Sequence, residues 1–353
     1  PIPKIKMDEE MVRLLVDANK QLVKLDTASQ LISNADLFIL MYVRKEALIS
    51  SQIEGTQCTF DDVLDPEVET NANLDVSDVI NYVKATQYAL KRLEELPLCC
   101  RLIREIHEVL MENVRGQDKT PGEFRHSQNW IGPANCSLKD ARYIPPNVED
   151  MQTAMSDLEK YINENVDYDP LIRAALIHYQ FETIHPFLDG NGRIGRLLIL
   201  LYLMEQRLIE KPVIYISYFL KKNQIEYYDR ISEVRRTGNF EQWIRFFLEA
   251  VSKAASDSLE AIRQLSVVHD TNVEKLPKTT RSKDNLRAVF DYIEQYPIID
   301  IKRTAKELEV SYNTVAAAVR KLVELGILQE TTNAARNRVF AYEEYLAILR
   351  KDT

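Results

Sequence analysis

From His185 to Arg196 the chain reads HPFLDGNGRIGR, which sets an imidazole (His185), a carboxylate (Asp189), a turn of small residues (Gly190, Asn191, Gly192) and two guanidinium groups (Arg193, Arg196) in one short stretch. An imidazole with an unperturbed pKa of roughly 6.5 can take the proton of an attacking hydroxyl near neutral pH. A carboxylate is the hard oxygen ligand that Mg²⁺ accepts when phosphates supply its other contacts. Glycines let an anion approach the backbone closely, and arginines three positions apart on a helix share a face from which both can grip it. These residue types together fit the holding of a nucleoside triphosphate and the transfer of part of it, with His185 as base, Asp189 on the metal, and Arg193 and Arg196 on the phosphates.

The flanks predict what carries the segment. Asp169 and Pro170 make an N-cap and a first-turn proline, and Leu171 to Ile184 runs without Gly or Pro, with Ile172, Ala175, Leu176 and Tyr179 at helical spacing. His185 is expected at the end of that helix. Ile194 to Leu208 is a second apolar helical run, too short and too soon charged to cross a membrane. The small-residue turn between the two becomes a helix N-terminus, where free backbone N–H groups and the positive end of the helix dipole form an anion site.

The segment resembles the signature of the Fic (filamentation induced by cAMP) family, HxFx[D/E]GNGRxxR, at every position. That resemblance implies transfer of AMP from ATP to a Ser, Thr or Tyr hydroxyl of a target protein, the enzyme itself included. It casts His185 as base, Asp189 as the Mg²⁺ ligand, Asn191 and the neighbouring amides of Gly190 and Gly192 as phosphate donors, and Arg193 and Arg196 as partners of the β- and γ-phosphates. Family members that phosphorylate instead carry Lys at the position of Gly192, so the resemblance favours AMP transfer. A second stretch, Ser50 to Gly55, matches the family's inhibitory motif [S/T]xxxE[G/N] and closes an alanine- and leucine-containing helix at Gly55, an ordinary helix-ending glycine. By the same resemblance Glu54 pairs with Arg196 in the place of the γ-phosphate and holds ATP in an unreactive pose. Some members with such a glutamate remove AMP by hydrolysis, so addition and removal both stay open.

Two further regions bear on the site. Gly122 to Pro146 breaks the helical pattern with short β-prone runs, Asn129-Trp130-Ile131 and Ala141-Arg142-Tyr143-Ile144, and predicts a hairpin flap of the kind against which family enzymes hold a substrate strand. Downstream, Phe219 to Phe247 predicts two helices, and Tyr227-Tyr228 resembles a family position near the adenine, with Tyr228 the candidate for stacking.

The whole chain of 353 residues, 45% hydrophobic, with only nine glycines, predicts a mainly α protein: a Fic-type helical core with a small β-hairpin flap, plus a C-terminal winged helix-turn-helix domain. The expected division is an N-terminal helical region at 1–97, a catalytic core at 98–265, a linker at 266–284 and a winged helix at 285–353. The four cysteines lack metal-ligand spacing and the five histidines are dispersed, which fits a reducing, cytoplasmic setting without zinc. In the C-terminal region, helices are expected at 285–296, 301–308 and 313–325, with strands at 327–329 and 338–342, Ser311 capping the recognition helix, and Arg336 and Arg338 on the wing. Residues 283–353 hold 11 Lys and Arg against 11 Asp and Glu, a neutral balance where a nucleic-acid surface is usually basic. DNA binding, docking of a protein and a homodimer all remain open for this module. The competing reading for the chain is a DNA-binding regulator whose core only senses nucleotide, and the intact His185 favours catalysis over it.

Overall fold

The computed structural model describes residues 3–31, 35–65, 73–112, 119–132, 136–164, 167–277, 283–332 and 338–351. Its elements run α1 (Glu9–Leu31), α2 (Ala35–Ile53), α3 (Phe60–Leu64), α4 (Leu74–Leu93) and α5 (Cys100–Leu110), then α6 (Val148–Asn163), α7 (Pro170–Ile184), α8 (Asn191–Glu205), α9 (Ser217–Lys222), α10 (Gln224–Thr237) and α11 (Phe240–Lys275). The C-terminal part is α12 (Lys283–Gln295), β1 (Ile298–Asp300), α13 (Ile301–Glu307), α14 (Tyr312–Glu324), β2 (Gln329–Glu330), β3 (Val339–Ala341) and α15 (Glu343–Leu349).

The centre is the α7–α8 pair. Asp169 caps α7 by accepting from Leu171 N at 2.8 Å, with Pro170 at the first helical position. Both helices are buried on nearly every face, which is why their sequences read as continuous apolar runs rather than one-sided stripes. Around them, α2 packs against α4, α8 and α9, while α1 lies along α11. Among the described residues no helix is long and apolar enough to cross a membrane. Cys58, Cys99, Cys100 and Cys136 are free thiols.

Three expectations change. The polar stretch expected as a linker from 266 is helical as far as Lys275, because Leu265, Val268 and Asn272 fall on one buried face of α11 and Asn272 donates to the Tyr342 hydroxyl at 2.8 Å. Polar composition concealed a helix that packs against α15. The expected break at Pro297 is followed by an unforeseen strand, β1, too short for its alternation to be read. It joins a three-stranded antiparallel sheet of order β1-β3-β2, with Ile298 opposite Ala341 and Gln329 opposite Ala341. Among the described residues the expected flap hairpin is one antiparallel bridge, Ile131 with Tyr143, closed by Ile131 N to Tyr143 O and Arg142 N to Ile131 O, both 2.8 Å. The three expected C-terminal helices recur, and Ser311 caps α14 by accepting from Thr314 N at 3.2 Å. Arg336 lies outside the described residues.

Candidate active site

His185 ends α7 in the left-handed region, φ 51° and ψ 61°, its own N–H donating to Phe181 O at 2.9 Å. A non-glycine residue there is uncommon and marks a position that the surroundings impose. Its ring is half-buried, and Nδ1 has no partner among the described residues. Burial lowers the imidazole to about 4, against the nearby Glu54 carboxylate, which raises it. The ring is therefore neutral at physiological pH.

The turn after it is built by residues with unequal tasks. Asn191 was expected on the phosphates, but its side chain is buried and committed to the loop: Oδ1 accepts from Phe187 N and Nδ2 donates to Phe187 O, both at 2.8 Å. Phe187 stacks on His107 with centroids 3.7 Å apart, planes at 3°. His107 accepts from Gly122 N at Nδ1 (3.0 Å), which leaves Nε2 to donate to Asp189 O at 3.1 Å. Burial lowers His107 to about 4, so it is a neutral strut under the acidic residue. The Asp189 carboxylate accepts from Gly190 N at 2.7 Å and meets Lys119 Nζ at 3.1 Å, keeping a partly exposed face.

Arg193 and Arg196 meet different protein partners. Arg193 is buried between Asp78 (3.6 Å), Asp189 (3.8 Å) and Met111 Sδ (3.6 Å). Arg196 reaches the end of α2: Nε donates to Ser50 Oγ at 2.8 Å, and one terminal nitrogen donates to Ser50 O at 2.9 Å and Glu54 Oε1 at 2.6 Å. Burial alone would depress the Arg196 guanidinium, and the carboxylates of Glu54 and Glu182 reverse this and raise it.

Glu54 is aimed by the way α2 ends. Thr56 N donates to Ser51 O at 3.2 Å and Gly55 N to Gln52 O at 3.1 Å, the bond pair of a Schellman cap, with Gly55 in the left-handed position at φ 97°. Lys221 Nζ on Gln52 Oε1 (2.5 Å) and Gln224 Nε2 on Ile53 O (3.2 Å) tie the same turn to α9 and α10. The carboxylate thereby lies over the first turn of α8: a Cβ built on Gly192 would stand 2.1 Å from Glu54 Oε1 and 2.9 Å from Arg196 Nη1. Only glycine leaves room for an anion against that backbone.

Tyr227 and Tyr228 part company. Tyr227 is in the core, its hydroxyl donating to His178 Nε2 at 2.9 Å while His178 Nδ1 donates to Gly195 O at 2.9 Å. Tyr228 is 44% exposed, and Glu54 is among the charges that, after burial, raise its phenol. Two buried carboxyls complete the surroundings: burial lifts both Glu182 and Glu46 to about 7, with Arg196 opposing each rise. Sequence reasoning missed Asp78, His107 and Glu182. The available signal was a polar residue at an apolar phase of its helix, as with Asp78 among Val76, Val79, Tyr82 and Val83 on α4.

An α7 histidine, a glycine turn and a capped helix carrying a glutamate thus meet in one site. Residues 12–91 match the Fic/DOC family N-terminal model and residues 97–203 the Fic/DOC family model, and the chain belongs to the Fic family. The proteins named Protein adenylyltransferase Fic from Aedes aegypti and Culex quinquefasciatus are each 30% identical over 200 residues, 56% of this chain and 36% of theirs. The match thus spans about a third of the length of these curated relatives. A Fic family protein from Desulfovibrio desulfuricans G20 shares the fold over 97% of this chain and 98% of its own, with TM-score 0.62 at 18% identity. Fic-1 from C. elegans does so over 72% of this chain and 73% of that one, with TM-score 0.51 at 19% identity.

Proposed function

We propose that the chain is a protein adenylyltransferase that moves AMP from ATP to a hydroxyl side chain of a target protein, and that Glu54 restrains it. The observation that carries this is the Glu54 carboxylate, bonded to Arg196 at 2.6 Å against the bare backbone of Gly192. A carboxylate seated there stands where a phosphate would sit, at a helix N-terminus beside a buried guanidinium.

In the reaction, neutral His185 accepts the proton of the target hydroxyl as that oxygen attacks the α-phosphate, with pyrophosphate leaving. Arg196, freed of Glu54, binds the terminal phosphate, and the amide of Gly192 takes part of the phosphate charge, that of Gly190 being held by Asp189. The partly exposed carboxylate of Asp189 fits a Mg²⁺ site of one protein oxygen completed by phosphates, and such an ion would neutralise charge on the leaving group. Arg193, held by Asp78 and Asp189, keeps that carboxylate oriented. Tyr228 is exposed beside Glu54 and suits a base-stacking role.

The C-terminal order of helix, strand, two helices and two strands supports a winged helix at 285–353. Arg338 on the wing is held by Glu330 through two hydrogen bonds, one of 2.6 Å, which favours a protein partner over DNA. A cytoplasmic setting and a homodimer are carried as part of this reading.

The test is label transfer from α-labelled ATP to proteins of a lysate and to the enzyme itself. A charge-assisted hydrogen bond contributes on the order of 1.5–3 kcal/mol, so Glu54→Gly raises transfer roughly ten- to a hundredfold. His185→Ala in that background abolishes it while ATP still binds, since the base acts only as the hydroxyl attacks. Equal labelling by wild type and Glu54→Gly would remove Glu54 from regulation, and undiminished labelling by His185→Ala would remove it from the chemistry.

A further inference from the structure

Arg125 is fully buried, and among the described residues no carboxylate forms an ion pair with it. A buried charge without a counter-ion is expensive, and an apolar side chain of similar volume would fill the space at lower cost. What Arg125 has instead are main-chain carbonyls: Nε donates to His185 O at 3.1 Å, one terminal nitrogen to Ser127 O at 3.1 Å, and the other to Pro146 O. Its own N–H donates to Pro186 O at 2.8 Å. Ser127 and Pro146 are the two feet of the flap, and His185 is the left-handed residue at the end of α7. Asn129, also in the flap, donates from Nδ2 to His185 O (3.1 Å) and Phe187 O (2.9 Å).

The same logic continues one turn back. The last carbonyls of α7 have no helical partner and must be satisfied from outside. Tyr143 OH donates to Thr183 O at 2.8 Å, and Arg235, stacked 3.6 Å from the Tyr143 ring, donates to Glu182 O at 3.2 Å. The flap is thus fastened to the helix end that carries the base, and cations are well placed there by the helix dipole.

We propose that Arg125, assisted by Asn129, is a positioning residue that holds His185 in its left-handed conformation and fixes it in register with both feet of the flap. The inference rests on the reading of His185 as base and of the flap as the target's docking edge. Arginine is needed because its planar fork presents donors in fixed directions to several acceptors, which a lysine ammonium cannot reproduce.

The experiment uses the full chain carrying Glu54→Gly, with Arg125→Lys and Asn129→Ala added singly. Asn129→Ala, at a half-buried position, covers the case in which Arg125→Lys fails to fold. The first readout is independent of activity: proton NMR of the five histidines, titrated with pH. The ring resonance of His185, assigned by its loss in His185→Ala, shifts in both variants while His178 stays unchanged. The second readout is transfer of label, with affinity for ATP measured separately. Arg125→Lys lowers the turnover about tenfold or more and Asn129→Ala less, while ATP affinity stays within about twofold, because neither residue reaches the Arg196 end of the site. An unmoved His185 resonance, or ATP affinity falling in step with turnover, overturns the proposal. If the Glu54→Gly parent itself labels nothing, the AMP-transfer reading fails and the NMR result alone decides the positioning role.

Discussion

At the scale of residues, the decisive asymmetry is between two partners in one ion pair: the Arg196 side chain is 1% exposed and that of Glu54 39%. The guanidinium is held independently by two hydrogen bonds to Ser50, while the carboxylate can swing away by rotating its own side chain. His185 lies close enough for Glu54 to raise its pKa, although burial dominates and leaves it at about 4. A histidine lowered in this way acts as base throughout the neutral range and loses that ability only as pH falls through the lowered value. Removing Glu54 takes away a raising influence, so the variant's base is lower still. For Glu54→Gly, kcat/KM for transfer is therefore expected to stay level from about pH 7.5 down to about 5.5 and to show the acid limb of this base only below about 4. An acid limb centred on the ordinary imidazole value of roughly 6.5 would show that the titrating base is not this buried ring.

At the scale of elements, the site is the meeting of two helix ends, the cap of α2 and the first turn of α8. Gly55 has open space around its Cα but a φ of 97°, so an added methyl group is opposed by backbone strain alone. Gly55→Ala is expected to lose about 1–2 kcal/mol of stability. It should also loosen the turn that aims Glu54, raising label transfer by less than Glu54→Gly does. A lowered melting temperature with unaltered transfer would mean that the cap does not direct the carboxylate. The α7–α8 pair, the His185 to Arg196 turn and the Glu54 helix were legible in the sequence because each signal is local: a cap, an apolar run, a glycine at a fixed offset. Asp78, His107 and Arg125 were not, since each meets the site through a partner far away in the chain, Arg193, Asp189 and His185 in turn, and a lone polar residue looks the same whether it supports a site or merely packs. Asn191 misled for the opposite reason: its place beside the glycines suits a phosphate donor, while its amide answers Phe187 two ways at once. In α11 the buried face continued beneath a polar surface, and β1 was too brief to show a period.

At the scale of the whole molecule, α2 belongs to two bodies. Its far end holds Arg196, and its early turns receive the C-terminal part: Phe38 stacks on Tyr345 with centroids 6.2 Å apart, Lys45 Nζ donates to Lys351 O, and Arg44 lies 5.2 Å over the Tyr296 ring. Arg350 adds a two-bond contact with Asp61, at 2.8 and 3.0 Å, just after the cap of α2. With α11 running unbroken from the core to α15, the chain is expected to melt in a single calorimetric transition. Tyr345→Ala, which removes a fully buried ring at a cost of about 3 kcal/mol or more, should move that transition down without splitting it. Two resolved transitions would show that the C-terminal part is an independent unit. These contacts also impose an order in time. A ribosome releases the His185 to Arg196 turn well before it reaches Tyr345 and Arg350, and at roughly 5–20 residues per second the interval is on the order of ten seconds. During that interval the nascent chain holds the α7–α8 pair but lacks the residues that seat the early turns of α2, so the contact of Glu54 with Arg196 has its full support only once residues 345–350 have emerged.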